Sequence, residues 1–582
     1  MKMMNNIFKM FLFAAVVTLS SCETFDLDLT DNPSTVPSEQ LDPVYVFNYV
    51  QLTLPDFVNS ANSFTQRVTR QMAMTGGISY DNAFAPVNFD NNWTTGYLML
   101  NSIKQMEPKA QQNSQTFILG ASKVMRCYVL MTMVDMYGNI PYSEALQGNA
   151  NLTPRYDNSA DVYAGIYREL DEAIQLLEVI DPNSGALQAR DLYYGQGNEG
   201  NPNKTNWVKL ANTLKFKMLN NARLVDNFGG INVRSEMTTL LQGDLILDSA
   251  DDFAFKYGTE RDLPNSRHPL YNDQYEFGGG AYIANYFLWA VQKEKGYGNA
   301  NNPADPREKY YFYRQTTLGA NVNSQSVPCR TQTKPSHFAN EDYASFYNTS
   351  ILTPYCISDE NSLSGSYLGR DHGDASGIPA DECLRTVAGV YPIGGAIGNP
   401  DCVSSNTNAG LKGGLGEGIM PMVLSSFVHF MKAEAILTLG LPGDARGELQ
   451  TAIEQSIRKT VNLLPAFAPG SASAPTLANH TAATTAYMNF VLSAYDSATD
   501  ADKLQIIIKE FYIASWGNGI EPYNNYRRTG YPDNFQPTVE ENPGAYFYTA
   551  LYPGASTNNN PNAPTNVRTK KVFWDTASLN LH

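Results

Sequence analysis

TFILGASKVMRCYVLMTMVDMYGNIPY, residues 116–142, is the stretch whose reading decides the fold. Phe117, Ala121, Val124, Met125, Tyr128 and Met131 recur at the spacing of one helix face. Gly138 and Pro141 then stop the element, the first by freeing the backbone and the second by removing a donor. The pattern repeats downstream. Val162, Ile166, Leu170, Ala173, Ile174 and Leu177 trace another apolar face, with Asn158 or Ser159 as its N-cap. A third helix is predicted from near Thr205, carrying Trp207, Leu210, Ala211, Leu214 and Met218 on one side.

A second helical block is predicted from Met420, Val423, Phe427, Phe430 and Met431, through Ile453 and Ile457. It ends in a helix bearing Leu504, Ile507, Ile508, Phe511 and Ser515. Helices paired in this way predict a mainly α chain of tetratricopeptide-like repeats, although a strict period of about 34 residues is absent. Between the blocks, 230–418 is rich in Gly, Asn, Pro, Tyr and Ser and has little periodicity. Its aromatic residues (Tyr282, Tyr286, Trp289, Tyr310, Tyr311, Tyr347, Tyr367, Tyr391) favour an ordered, functional region over a disordered one.

The N-terminus carries an export signal. Lys2 and Lys9 precede an apolar run, Met10 to Leu19, and no acid occurs before Glu23. The run is too short for a bilayer span of about 20 residues, and no later stretch is read as long and apolar enough to cross a membrane. Leu19-Ser20-Ser21-Cys22 resembles the bacterial lipobox, which implies cleavage before Cys22 and lipid on its thiol. Residues 1–21 are then signal peptide and 22–40 a tether rich in Asp, Asn, Ser, Thr and Pro. The acyl chains of such a cysteine, palmitate among them, give stable anchoring where one chain would not.

A net charge of −16 argues against nucleic-acid binding, which rests on Lys and Arg neutralising phosphates. Of six cysteines, Cys127 falls in a helical pattern and is read as a buried thiol. Cys329, Cys356, Cys383 and Cys402 share the loop-rich middle, where one or two disulfides are expected and their connectivity is open. No Cys-x-x-Cys pair, HExxH, GxSxG or P-loop occurs, so neither cofactor nor zinc is expected.

Asp135-Met136-Tyr137-Gly138-Asn139-Ile140-Pro141-Tyr142, Tyr367 to Gly373 and Tyr526 to Pro532, in that order, resemble the SusD/RagB family of outer-membrane nutrient-binding lipoproteins, in particular its SusD-like second branch. Met125-Arg126-Cys127-Tyr128 and Asp135-Met136-Tyr137-Gly138-Asn139-Ile140-Pro141-Tyr142 are similar to a family helix ending in a Tyr-Gly-x-(Val/Ile)-Pro turn. Arg155-Tyr156-Asp157, Trp207 to Lys215, Tyr367 to Gly373, Tyr391 to Gly395, Lys432-Ala433-Glu434-Ala435 and Tyr526 to Pro532 follow in the family's order. The resemblance implies four tetratricopeptide-like helix pairs as a scaffold, about 95–228 and 419–518. It adds a loop-rich binding region over about 230–418 and an irregular C-terminal region, 519–582, within one SusD-like domain, 41–582.

It further implies a non-enzymatic, surface-exposed lid on a SusC-like TonB-dependent transporter, capturing an oligosaccharide or, in some members, a peptide. Glu23, Asp26 and Asp28 suit a surface-export tag at the outer membrane. A surface glycosidase is the enzymatic alternative, since hydrolysis needs only two carboxylates that sequence cannot pair. A protein-binding adaptor is another, though it leaves the aromatic middle without a purpose.

Sugar rings offer apolar faces and hydroxyl rims, so aromatic platforms beside polar side chains are the expected binding residues. Tyr282, Tyr286 and Trp289, on a short helix opened by Gly278–Gly280, form one candidate set, with core packing as the competing reading. Tyr80, Asp81 and Phe84, after Gly76-Gly77, form a second. Trp93 with Tyr97 is read as packing, Arg527 and Arg528 as braces of loops against helix ends, and Trp574 as a seal on the C-terminus. Asp371, Asp374 and Asp381 are oxygen donors of the kind calcium takes, but they lack the alternation of an EF-hand, and a loop held by Arg370 competes.

Overall fold

The first helical block of the computed structural model comprises α1 (Pro43–Val68), α2 (Asp90–Gln112), α3 (Thr116–Tyr137), α4 (Ser159–Glu178) and α5 (Lys204–Asn221). The second comprises α6 (Ser425–Leu439), α7 (Ala445–Val461), α8 (Leu477–Ser497), α9 (Asp500–Ala514) and α10 (Ile520–Thr529). The structure describes residues 41–73, 79–180, 190–195, 203–279, 281–294, 303–315, 369–374, 383, 385–405, 407–468 and 477–576.

Helix α3 lies where the opening stretch was read, and neighbours cover it on every side: α1, α2, α4 and α5 all pack against it. That position explains a composition apolar all round instead of along one stripe. By length and composition α3 is apolar enough to cross a membrane, contrary to the sequence reading; 89% of its apolar window is buried inside the fold. It is a core helix. At its end Gly138 takes φ +81°, a conformation that costs glycine no side-chain clash, and its N–H bonds Val134 O at 2.8 Å. Asn158 caps α4 by accepting from the Ala160 N–H.

The scaffold extends beyond the limits read from sequence. Helix α1 starts well upstream of residue 95 and buries Val46, Phe47, Val50, Leu54, Phe57, Val58, Ala61 and Phe64. Met420 and Val423, predicted as helical, lie instead on strand β6. The strands are β1 (Asn227–Phe228), β2 (Ile231–Asn232), β3 (Phe253–Lys256), β4 (Phe312–Arg314), β5 (Thr386–Ala388) and β6 (Ile419–Val423). They pair antiparallel as β1–β2, β3–β6 and β4–β5, with Val423 opposite Phe253. A buried five-residue apolar run gives no period that separates strand from helix, which is why β6 misled.

The described part of the middle closes onto the helices, and residues 43–582 form one unit. Its aromatic residues supply core. Tyr310, Tyr311 and Tyr391 are buried; Tyr311 stacks on Tyr391 at 5.5 Å and donates to Ile513 O in α9 at 3.1 Å. Tyr347 and Tyr367 lie outside the described residues. Cys383 bonds Cys402, while Cys329 and Cys356 also fall outside. Cys127 is a buried free thiol, pushed up by burial.

Two buried carboxylates tie distant segments together. Asp135 on α3 accepts from Tyr163 on α4, from Asn524 Nδ2 on α10 at 2.7 Å, from Trp574 Nε1 at 3.2 Å and from Asn221 Nδ2 on α5 at 3.3 Å. Glu434 on α6 accepts from Arg528 Nε at 2.9 Å and Asn220 Nδ2 at 3.2 Å, and pairs with Arg223 at 3.0 Å. Arg528 is thus a clamp on a neighbouring helix, not the loop brace expected. Arg527 does brace a loop, donating to Tyr548 O at 2.7 Å from between the rings of Tyr523 and Trp574.

Candidate functional site

Beside the C-terminal half of α1 a cavity of about 280 Å³ opens between the scaffold and the described loops. Asn62, Met420 and Trp516 form its buried floor, and the half-buried Arg67 and Asp273 its rim, with Ser63 exposed beside them. The floor is fixed by Asn62, which donates to Gly517 O and accepts from Gly519 N, both at 2.9 Å. His268 sits in the wall. Its Nδ1 accepts from Leu270 N at 3.1 Å, and burial pulls the ring down to about 3, so it is neutral with its proton on Nε2.

Several polar atoms of the lining residues lack hydrogen-bond partners among the described residues. Trp516 Nε1 and Asp273 Oδ2 have no hydrogen-bond partner among the described residues. The Arg67 guanidinium makes neither a hydrogen bond nor an ion pair with the described residues. Burial pulls the Arg67 guanidinium down, with the Asp273 charge opposing. Burial pushes the Asp273 carboxyl up, against Arg385, the Ala281 N–H and Arg67. Buried polar groups are ordinarily satisfied, by ordered water where the protein supplies no partner, so open ones around a cavity make it a candidate site for a polar ligand.

The aromatic candidates fall around this cavity and not into it. Tyr282 is buried behind its wall, its carbonyl accepting from the cavity-lining Ala73 N at 2.8 Å. Its ring lies beneath the guanidiniums of Arg370 and Arg385, at 4.8 and 5.2 Å. Tyr286 is wholly buried in the short helix Asn285–Trp289; its hydroxyl meets Asn534 at 2.7 Å and Lys509 at 2.8 Å. Trp289 is half-buried, 5.9 Å from Tyr286, with Lys509 beneath its ring. Phe84 is packed against Phe64 at 5.6 Å and Phe547 at 5.0 Å. Asp81 is exposed, and the side chain of Tyr80 lies outside the described residues.

The expected platform of open ring faces is thus absent for Tyr282, Tyr286 and Phe84, because the loops fold their rings inward as core. Trp93 packs with Tyr97 and Tyr137 at 5.0 and 5.1 Å, a structural role. Asp371 accepts through Oδ1 from Gln536 at 2.7 Å and Asn285 at 3.1 Å, as a loop brace would. Asp381 lies outside the described residues, and among those described no group of three or more His, Cys, Asp or Glu could hold a metal.

Residues 35–352 match the family model SusD-like_2, described as starch-binding associating with outer membrane. That span is over half of the chain. The chain belongs to the SusD/RagB family. Residues 417–563 match a second SusD-like model, described as Susd and RagB outer membrane lipoprotein. No curated protein is significantly similar to the chain. A SusD homologue from Bacteroides fragilis superposes with a TM-score of 0.61 at 18% identity, covering 93% of this chain and 100% of the other. A chitin-binding protein gives 0.62 at 18%, over 92% and 100%. A chitin-binding SusD homologue from Flavobacterium johnsoniae gives 0.61 at 16%, over 92% and 98%. At such identities these likenesses establish the shared SusD fold.

The cavity residues Arg67, His268, Asp273 and Trp516 were not anticipated from sequence. A signal existed for Arg67, since the apolar spacing from Val46 to Phe64 places it on a helix whose opposite face is core.

Proposed function

We propose that this SusD-family protein captures an oligosaccharide at the cell surface and delivers it, as a lid, to a SusC-like TonB-dependent transporter. It hangs from the outer membrane by lipid on Cys22, and residues 23–40 act as a tether that lets the lid move while its anchor stays put. The observation that carries this reading is the family match over residues 35–352, which encloses the α1 wall of the cavity and the segments Met72–Ala73 and His268–Asp273. Its open donors and acceptor suit the hydroxyl rim of a sugar. Two structurally similar proteins are described as chitin-binding, in keeping with a glycan ligand.

Binding without turnover fits the cavity chemistry. Glycoside hydrolysis uses two carboxylates at a set separation, and the described residues lining this space include one, Asp273. Calorimetric titration of the mature chain with soluble glycans, beside a peptide panel, tests the reading. Saturable heat with a glycan and no release of reducing ends is expected. Release of reducing sugar makes the protein a glycosidase, and heat with peptides alone makes it a peptide binder; either outcome overturns the proposal.

A further inference from the structure

The loop that closes one side of the cavity carries an aromatic ring that the protein leaves in water. Asp273 and Ala281 both line the cavity, and Phe277 lies midway between them along the chain, 77% exposed. No other Phe or Trp among the described residues is exposed; the exposed Tyr45 and Tyr49 stand at the far end of α1 from the cavity. Phe277 follows Asp273 by one helical turn, its N–H bonding Asn272 O at 3.0 Å. Residues so spaced are neighbours on one face, about 5–6 Å apart at Cβ. The open ring therefore stands next to the half-buried rim of the cavity.

The surrounding chain holds this ring in place. Gln274 Nε2 donates to Ala281 O at 3.1 Å, clamping the two ends of the loop together. The buried Tyr275 donates through its hydroxyl to Ala388 O at 2.7 Å, and its carbonyl accepts from Gly410 N at 2.8 Å. Glu276, next to Phe277, is gripped by Arg267 at 3.0 Å and by Arg261. Beyond the ring the chain turns back through Gly278, at φ +61°, and Gly279, whose N–H bonds Asp273 O at 2.7 Å. A Cβ on Gly279 would fall 1.9 Å from Asp273 Oδ1, so the close approach needs glycine there. An apolar ring kept in water gains by being covered, and a loop already fixed adds little ordering cost when it is.

We infer that Phe277 is a stacking platform for the sugar unit next to the one held in the cavity. The inference rests on the glycan-capture reading above and deepens it. A volume of about 280 Å³ admits about one ring with its substituents, so the rest of a glycan passes over the rim. There the two sides of sugar chemistry are met together. The flat ring of Phe277 suits the C–H face of a pyranose, and Asp273 Oδ2, without a hydrogen-bond partner among the described residues, accepts from a hydroxyl at its edge. Tyr282, Tyr286 and Phe84 offer no such face, since their rings are buried. Phe has no polar tip, so its contact is with ring C–H groups alone and favours pyranoses whose hydroxyls are equatorial.

The test is calorimetric titration of the mature protein with cellohexaose, maltohexaose and chitohexaose. Wild type is compared with Phe277→Ala, Phe277→Leu and Phe277→Trp, with circular dichroism as the check on folding. For a hexasaccharide that wild type binds, Phe277→Ala should weaken affinity about five- to tenfold, as covering one face of a Phe ring implies. Phe277→Leu, which keeps an apolar side chain but no flat face, should lose nearly as much, and Phe277→Trp should keep the affinity. The emission that Phe277→Trp adds over wild type should shift to the blue on saturation with that glycan, a signature that a merely structural role would not give. Unchanged affinity in Phe277→Ala, wild-type binding by Phe277→Leu, or an added emission that saturating glycan leaves in place overturns this inference and leaves glycan capture standing. Binding of wild type to none of the three counts against glycan capture itself and removes the inference with it.

Discussion

Asp135→Ala is expected to lower the free energy of unfolding by about 4 kcal/mol, a large share of the roughly 5–15 kcal/mol that holds a domain folded. The carboxylate is the meeting point of Tyr163, Asn221, Asn524 and Trp574, so four elements and the C-terminal segment depend on one acceptor group. Burial pushes its carboxyl above the usual Asp range, against the Lys217 charge and the donors around it. Removing the group strands several buried donors at about 1–3 kcal/mol each, with some recovery through rearrangement. Asp135→Asn, which keeps one acceptor oxygen, should cost roughly half as much. Urea unfolding of the three proteins measures both differences. A loss below about 1 kcal/mol for the alanine variant would mean that the donors find other partners.

The stretch that contains Asp135 was legible as a helix and as a family motif, yet its chemistry was not. Periodicity placed Phe117 to Met131 on a core face because that face alone has to be apolar. It gave no sign that the other faces are buried too, since α1 and its contact with α3 went unread. The same omission hid the cavity. Arg67 lies on α1, and its companions Asp273, Met420 and Trp516 come from segments hundreds of positions away, which only the closed fold brings together. The tyrosines of the middle misled in the opposite direction. A flat ring with a polar tip serves a sugar and a core equally well, and Tyr286 and Tyr311 use their hydroxyls on Asn534 and Ile513 inside the protein.

Glu434→Gln is the second large effect, an expected loss of about 3–5 kcal/mol. Glu434 sits in the Lys432-Ala433-Glu434-Ala435 run, and Arg528 in the Tyr526–Pro532 run, two of the pieces by which the family resemblance was recognised. Their shared role is a buried ion cluster: Glu434 is fully buried with Arg528 on one side and Arg223 on the other. Replacing the carboxylate by an amide leaves two guanidiniums in the core with their counter-charge gone. Burial alone would raise the Glu434 carboxyl; Arg528 and Arg223 outweigh it and hold the group below the usual carboxylate range. The folded value thus lies under the unfolded one, near 4.3. This contribution is full above that pH and is lost as the pH falls through the folded value. The gap between wild type and Glu434→Gln in thermal unfolding should therefore be widest near neutral pH and shrink in acid. A gap independent of pH would assign the stabilisation to packing.

Family membership, the proposed lipid anchor at Cys22 and a cavity with unmet polar groups combine into one proposal: a lipid-tethered lid that passes a glycan to a transporter. Detergent extraction of the envelope from cells producing the full chain, followed by purification on this protein and mass spectrometry of what accompanies it, tests that claim most directly. A TonB-dependent barrel in near-stoichiometric amount is the predicted companion, and the Cys22→Ala variant should appear in the soluble fraction without it. A lipoprotein recovered from the outer membrane free of any barrel, or a Cys22→Ala variant that stays membrane-bound, would contradict it.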